Sequence, residues 1–282
     1  MPPLKLHALA TLPAPARLLL MLGVVVVLWL PLGIPILTGV TDPDWQSILG
    51  LGLAYGLFIL VLRAWGTRIA QRSFPLEQYG FTLKTLPRPW LEGWGKGVAV
   101  VLGLYGLQGI LGWVTWIAPT ANFGQIVLEG FGVALGIGFA EELCFRGWLL
   151  SELQQDYGYS AAAIVSSSIF AVLHFLKPWA EILRTLPQFP GLLLLGLILA
   201  HAKRQHLGKS MGIHSGLVWG YYILKVGNLV SSTPNLSPWI TGVDGNPLAG
   251  LLGLGVLTIW LVLSQKPKVR TKAQSTPDKG QD

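Results

Sequence analysis

Five charged or titratable side chains interrupt stretches of sequence that are otherwise apolar: Glu141, Glu142, Arg146, His174 and His214. A charge near the centre of a lipid bilayer costs about 2.5–3.5 kcal/mol on insertion scales, so such residues need a reason to be there. Carboxylates and imidazoles are groups that general acid–base catalysis uses. A carboxylate can take a proton from water, one histidine can assist it, and a second can donate to a developing oxyanion. The residue types therefore predict a buried site whose chemistry is hydrolysis.

The spacing of the residues distinguishes the two acids. Glu142 and Arg146 are four residues apart with the acid first, which is the favourable order for an ion pair on one helix face. Glu141 points about 100° away on the same helix, because a turn takes 3.6 residues. Glu141 thus has no partner within its own helix and is the candidate general base, whereas a purely structural role stays open for the other two residues.

The two histidines belong to other apolar stretches. His174 lies near the end of AAAIVSSSIFAVLHFL, and His214 lies in SMGIHSGLVWGYY. A lone helical histidine is usually a core or interfacial group, but ionisable residues on three helices can satisfy one another around a shared interior cavity. The predicted helix ends put His174 near the outer side of the membrane and His214 near the inner side. Contact between them requires different helix boundaries or a tilt.

The composition indicates a membrane protein. Of the 282 residues, 52% are hydrophobic and only 12% are charged, whereas soluble domains carry about 25% charged residues. The net charge of +7 comes from lysines and arginines that lie between apolar runs rather than on one periodic face. This distribution argues against a nucleic-acid partner and favours cations next to a membrane.

A spanning helix needs roughly 20 mostly apolar residues. The sequence predicts an all-α membrane protein, a bundle of about eight transmembrane helices with an intramembrane polar cavity enclosed by the fourth, fifth and seventh. The predicted spans are 18–40, 47–64, 94–118, 129–150, 159–176, 190–202, 210–230 and 248–264.

The loops predict the orientation and the domain limits. Cations concentrate in 63–96, in 201–210 and after 265, which by the positive-inside tendency places both termini in the cytoplasm. The predicted organisation is a cytoplasmic N-terminal tail at 1–17, a membrane domain at 18–264 and a disordered cytoplasmic tail at 265–282. The localisation is a multi-pass integral membrane protein of the cell membrane or an internal membrane, with membrane lipids as partners.

Three motifs carry a resemblance to a known family. They are Glu141-Glu142-x-x-x-Arg146 with its flanking Phe145 and Gly147, then Phe170-x-x-x-His174, then a histidine opening a later helix. This ordered set, over residues 129–223, resembles the CPBP family. That family comprises type II CAAX-processing endopeptidases and bacteriocin-processing or immunity-associated membrane proteins, also called the ABI family.

The resemblance implies a role for each residue. Glu141 would be the general base with His174 assisting, Glu142 and Arg146 would brace the site, and His214 would stabilise the oxyanion. One position departs from the family pattern, which is His-x-x-x-Asn or Asp: the fourth residue after His214 is Val218. Ser215 and Tyr222 are the candidate replacements for the missing donor.

The same residues suggest two further chemistries. Cys144, the single cysteine, lies between the acids and Arg146, and packing explains it better than nucleophilic catalysis because neighbouring acids disfavour a thiolate. Glu141, His174 and His214 could also ligate zinc with water in the fourth position. No cofactor is expected, and zinc is the alternative.

The predicted function is intramembrane endoproteolysis of a membrane-associated peptide or protein, with prenylated CAAX-type or leader peptides as the substrate classes that the family implies. One rival is an inactive or weakened family member that acts as a scaffold or immunity-like protein, which Val218 supports. A second rival is a transporter or proton relay, because intramembrane carboxylates and histidines also mark those.

Overall fold

The computed structural model of the protein describes residues 6–71, 73–233 and 236–265. All of the predicted C-terminal tail except Gln265, together with residues 1–5 of the predicted N-terminal tail, lies outside the described residues. The remainder folds as helices around two packed apolar clusters. One cluster joins the N-terminal helices to the middle of the chain, and the other surrounds the last helices.

Twelve α-helices follow one another along the described residues. They are α1 (Ala14–Gly39), α2 (Pro43–Ala64), α3 (Pro75–Gln78), α4 (Pro87–Ile110), α5 (Phe123–Glu142), α6 (Leu150–Asp156), α7 (Tyr159–Leu173), α8 (Trp179–Thr185), α9 (Phe189–Lys203), α10 (Leu207–Lys225), α11 (Pro238–Thr241) and α12 (Leu251–Ser264). Two π-helical segments continue α2 and α5, at Trp65–Ile69 and Leu143–Leu149. Short 3-10 turns lie at Leu6–Thr11, Leu186–Gln188, Val243–Gly245 and Pro247–Ala249.

Each of the eight predicted spans contains a helix. Four helical runs among the described residues are long and apolar enough to cross a membrane: Ala14–Gly39, Pro43–Ile69, Phe123–Asp156 and Trp179–Lys203. The protein is therefore a predominantly helical integral membrane protein, in line with the predicted all-α class, and the count of eight spans stays a prediction. The predicted sixth span, 190–202, begins too late. Helix α8 and a 3-10 turn precede α9, so the helical run begins at Trp179.

The predicted span 94–118 is wrong at its C-terminal end. Helix α4 stops at Ile110, and Val114–Trp116 forms strand β1 instead. Strand β2, Val230–Ser232, pairs with it antiparallel, with Val114 opposite Ser232 and Trp116 opposite Val230. This small ladder ties the end of α4 to the end of α10, which stops at Lys225 rather than at 230.

Glycines let α10 pack closely against α4. A Cβ atom on Gly212 would lie 2.0 Å from the Trp90 carbonyl oxygen, and one on Gly216 would lie 2.2 Å from that of Trp94. On the facing helix, a Cβ on Gly97 would lie 2.4 Å from the Ile213 carbonyl oxygen. Only residues without a Cβ fit such backbone contacts. The position of α10, which carries His214, is thus set by backbone against backbone.

A buried polar network fastens the start of α1 to the end of α6. The Arg17 guanidinium donates from Nε to Glu152 Oε2 at 2.9 Å, and both side chains are almost fully buried. Tyr79 donates to the other Glu152 oxygen at 2.7 Å, and Asp156 accepts from the Ala14 backbone at the start of α1. Arg17 was predicted to close a cytoplasmic tail at 1–17, but it lies inside helix α1 and inside the bundle. The sequence alone did not indicate this position, because the acids that pair with Arg17 lie more than 130 residues further along the chain.

Candidate active site

The first motif lies where helix α5 changes its winding. Glu141 and Glu142 are the last two residues of α5, and Arg146 lies in the π-helical segment Leu143–Leu149 that follows. Such π-helical turns inside longer helices are frequent at functional sites, because they re-aim side chains that regular winding would spread around the axis. Residues 142–150, except Cys144, are buried, so the turn lies in the middle of the bundle.

Glu142 is held by two partners at once. Its Oε1 atom accepts a hydrogen bond from Arg146 Nη1 at 2.7 Å and is 2.9 Å from His214 Nδ1. The side chains of Glu142 and Arg146 are both 0% exposed. The ion pair that the spacing predicted is therefore present, and the same carboxylate also orients the histidine of α10.

Glu141 lies on the other side of the His214 ring. Its Oε2 atom is 3.9 Å from His214 Nε2 and has no hydrogen-bond partner among the described residues. The side chain is 19% exposed, whereas that of Glu142 is fully buried. The second oxygen of Glu142, Oε2, also has no hydrogen-bond partner among the described residues. The two acids differ because Glu142 is bound through Oε1 by Arg146 and His214, whereas Glu141 approaches His214 at the longer distance and is partly exposed.

Arg146 connects the motif to two more helices. Its guanidinium carbon lies 4.2 Å from the centre of the Phe170 ring on α7, which is a cation–π contact. Its Nη2 atom donates to the Gly196 carbonyl oxygen on α9 at 3.3 Å. One side chain of the first motif therefore reaches the second motif as well as helix α9.

His174 caps helix α7 at the edge of the bundle. Its Nδ1 atom lies 2.7 Å from the Phe170 carbonyl oxygen, so Nδ1 carries the hydrogen and donates it. In the neutral ring, Nε2 then keeps the lone pair that can accept a proton. The residue is exposed in the isolated chain, and its ring centre lies 4.6 Å from that of Phe170.

The two histidines lie at the same level of the bundle, so the predicted separation in depth is wrong. The Phe170 ring contacts both, at 4.6 Å from His174 and 5.9 Å from His214 between ring centres. Helix α10 begins at Leu207, three residues before the predicted start at 210, which carries His214 almost one turn further into the bundle. Phe170 therefore joins Arg146, His174 and His214, and the two acids reach this group through His214.

Ser215, Val218 and Tyr222 follow His214 on α10 and differ in what they face. A Cβ on Gly138 would lie 2.1 Å from Ser215 Oγ, so Ser215 packs against α5 one turn before Glu142. Tyr222 packs in the same way against Gly130, about three turns from Glu141. Ser215 is buried and its hydroxyl has no hydrogen-bond partner among the described residues, whereas Val218 is half-buried. Of the two candidate donors, Ser215 is the one near the acids.

The structure also describes the surroundings of Cys144 and of the three candidate zinc ligands. Cys144 is partly buried and packs against the larger apolar cluster. Within the described part of the chain, no group of three or more His, Cys, Asp and Glu side chains is arranged to hold a metal ion. The zinc alternative of Glu141, His174 and His214 therefore has no preassembled ligand set, and metal dependence stays a prediction for experiment.

Sequence reasoning missed three features of this site. They are the π-helical turn, the Gly196 carbonyl that accepts from Arg146, and the packing of Ser215 against Gly138. The glycine at 138, one turn before Glu142, is a signal that could have indicated close approach of another helix. Neither the turn nor the carbonyl leaves a mark in the sequence.

The fold and the site define a helical integral membrane protein with a buried glutamate–arginine–histidine cluster. Residues 123–233 match the family model described as type II CAAX prenyl endopeptidase Rce1-like. The resemblance that the three motifs predicted is thereby confirmed, over a segment slightly longer than 129–223. Searches of curated proteins and of solved structures return no match for the chain.

Proposed function

We propose that the protein is an intramembrane endopeptidase that cleaves membrane-associated peptides with water activated by Glu141 and His174. The main supporting observation is that Glu141 and Glu142 have different surroundings. Each acid has one buried oxygen without a hydrogen-bond partner among the described residues. Glu142 is bound through its other oxygen by Arg146 and His214, whereas Glu141 lies 3.9 Å from His214 Nε2 and is partly exposed. The match of 123–233 to an endopeptidase family supports the same assignment.

The proposed reaction uses these groups in order. Glu141 takes a proton from water, and the water oxygen bonds to the carbonyl carbon of the scissile peptide. The carbonyl oxygen becomes an oxyanion that accepts a hydrogen bond from His214 Nε2–H. The intermediate collapses, the carbon–nitrogen bond breaks, and the proton moves from Glu141 to the leaving amine. His174 Nε2 assists by orienting the water, since its Nδ1 atom is engaged by Phe170.

Charge balance supports the donor role of His214. Nδ1–H donates to the Glu142 carboxylate, so Nε2 can also donate only when the imidazole is doubly protonated. In that form the cluster contains two acids, Arg146 and one imidazolium, and its net charge is zero. A buried cluster with balanced charges avoids the large cost of an uncompensated charge.

The substrate class rests on the family description alone. Peptides anchored in the membrane, including prenylated CAAX-type peptides, are the substrates we propose, and leader peptides are the second class. Val218 favours the rival function, a non-catalytic family member that binds a membrane protein, because an apolar side chain replaces an expected oxyanion donor.

The test is cleavage of lipid-anchored and unanchored peptides by the full chain reconstituted in lipid. Glu141→Gln keeps the side-chain size and removes the base, so the cleavage rate should fall by about 100-fold or more. The matched control is Glu129→Gln, an exposed acid on the same helix, which should cleave like the parent. Cleavage by Glu141→Gln at the parent rate would overturn the assignment of the base.

A chelator separates the metal-free mechanism from the zinc alternative. The metal-free mechanism predicts the same rate with and without chelator. A loss that added zinc restores would instead make Glu141, His174 and His214 ligands. Absence of cleavage by the parent over the whole panel, with peptide binding that survives Glu141→Gln, would support the scaffold function.

A further inference from the structure

A cavity of about 680 Å³ lies outside the candidate active site, between α4, the end of α9, the first two turns of α10 and the end of α12. Its lining includes Lys96 on α4, Arg204 just after α9 and Lys209 on α10. Among the described residues that line it, none is acidic. Three cations around one opening attract an anion, and clusters of this kind between membrane helices bind lipid headgroups.

The inner walls of the same cavity are apolar. They are formed by Ile198, Ile213, Trp260 and Leu263. A second cavity of about 430 Å³ shares His201, Arg204 and Gln265 with the first and has further apolar walls, including Ile164, Leu197 and Leu261. The two cavities lie on either side of the contact between α9 and α12. Arg204, whose guanidinium lies 4.6 Å from the Tyr159 ring centre, borders both of them.

We propose that these cavities bind an anionic phospholipid. Its phosphate contacts Arg204, Lys209 and Lys96, and its acyl chains lie along the apolar walls. Arg204 and Lys209 lie at the connection between α9 and α10, which is predicted to face the cytoplasm, and Lys96 borders the same opening from α4. This places the opening at the level where headgroups are found. Volumes of a few hundred Å³ are typical of sites for small organic ligands.

The charge and shape of the cavity disfavour other occupants. A free phosphate would match the cations but would leave the apolar walls without a partner. A zwitterionic lipid carries its own cation and would be repelled by three more.

The lipid would contact the helices that build the active site. Ile213 lines the cavity, and the next residue on α10 is His214. Ile198 lines it as well, two residues after Gly196, whose carbonyl accepts from Arg146. A bound lipid should therefore raise the thermal stability of this part of the bundle, whether or not the protein cleaves peptides.

The experiment measures lipid binding and thermal unfolding of the purified full chain in detergent. Dioleoylphosphatidylglycerol should raise the unfolding midpoint, and dioleoylphosphatidylcholine should not. Arg204→Gln, Lys209→Gln and Lys96→Gln should each weaken phosphatidylglycerol binding about fivefold, because one cation at a membrane surface contributes about that factor. Lys84→Gln is the matched control, since Lys84 is an exposed cation outside the cavity.

Each outcome decides for or against the proposal. Weaker binding by the three cavity variants, with Lys84→Gln like the parent, supports it. Equal binding of both lipids by the parent, or unchanged binding by all three variants, would overturn it. If glycerol 3-phosphate raised the unfolding midpoint as much as phosphatidylglycerol does, the cavity would be a site for soluble anions and the lipid proposal would be wrong. Lys96 is exposed, so Lys96→Gln keeps the test decisive even if the other two variants unfold.

Discussion

At the scale of single residues, the site depends on how each acid is surrounded rather than on how many acids there are. Glu142 and Glu141 are neighbours in sequence, yet only Glu142 contacts Arg146. His214 contacts the first acid closely and approaches the second. A carboxylate paired with a buried arginine is a poor base, because removing the negative charge of Glu142 would leave Arg146 buried without that counterion.

The buried ion pair of Glu142 and Arg146 should contribute to the stability of the fold. Arg146→Ala should lower the free energy of unfolding by roughly 3–5 kcal/mol, because Glu142 would keep a buried charge with only His214 as partner. The double change Glu142→Gln with Arg146→Met removes both charges and should recover part of that loss. Thermal unfolding in detergent measures both variants. A single variant that melts like the parent would show that the pair has no architectural role.

The role of the Ser215 hydroxyl can be tested through the cleavage rate. If it supplies the second oxyanion donor in place of Val218, Ser215→Ala should lower the cleavage rate by about 100- to 1,000-fold, as loss of one such donor does elsewhere. Tyr222→Phe is the control and should leave the rate unchanged, since Tyr222 packs against Gly130. Val218→Asn should raise the rate of a weakened enzyme. Equal rates for Ser215→Ala and the parent would exclude Ser215 as a donor.

At the scale of helices, the position of α10 decides whether the histidine meets the acids. Glycines bring its backbone against α4, and Gly138 brings α5 against Ser215. The π-helical turn after Glu142 then aims Arg146 toward α7 and α9. Local winding and close helix contacts together place side chains that are more than 70 residues apart within hydrogen-bonding distance.

The close contact between α4 and α10 can be tested directly. Gly212→Ala places a methyl group against the Trp90 carbonyl oxygen, and such overpacking costs roughly 1–3 kcal/mol. The unfolding midpoint should fall, and the cleavage rate should fall with it as His214 moves. Gly103→Ala on α4 is the control, because nothing lies within 4 Å of an added Cβ there. A Gly212→Ala variant as stable as Gly103→Ala would contradict the packing.

At the scale of the whole molecule, polar contacts join distant parts of the chain. Arg17 and Asp156 link the first helix to the middle of the chain. Arg184, in α8, pairs with Asp244, in the loop before α12. The second pair places the 177–188 connection and the loop around Asp244 on one side, where the predicted orientation puts both. It also gives Arg184, one of two cations in that connection, a neutralising partner.

The exposed pair predicts a weak dependence of stability on pH. The hydrogen bond from Arg184 lowers the pKa of Asp244 from its ordinary value of 3.8. The carboxylate therefore contributes stability above that value and loses it as the pH falls through the lower folded pKa. Asp244→Asn should lower the free energy of unfolding by less than about 1 kcal/mol at pH 7, because both partners are half exposed.

Asparagine is the suitable replacement for that measurement. Asp244 has a φ of 57°, and asparagine tolerates this left-handed conformation about as well as aspartate does. The difference in unfolding midpoint between parent and variant should shrink as the pH is lowered from 7 to below about 4. A difference that stays constant over this range would assign the effect to the backbone rather than to the ion pair.

The sequence by itself determined the membrane class, the helical fold, the resemblance and the pair of Glu142 with Arg146. Composition and local spacing are enough for these, because apolar runs must be helical in a bilayer and residues four apart share a helix face. Only the tertiary structure decided that His174 and His214 meet at Phe170 and that Arg17 is buried with Glu152. It also decided that Ser215, not Tyr222, lies near the acids. These facts depend on helix ends and on contacts between distant segments, and hydrophobic periodicity fixes neither.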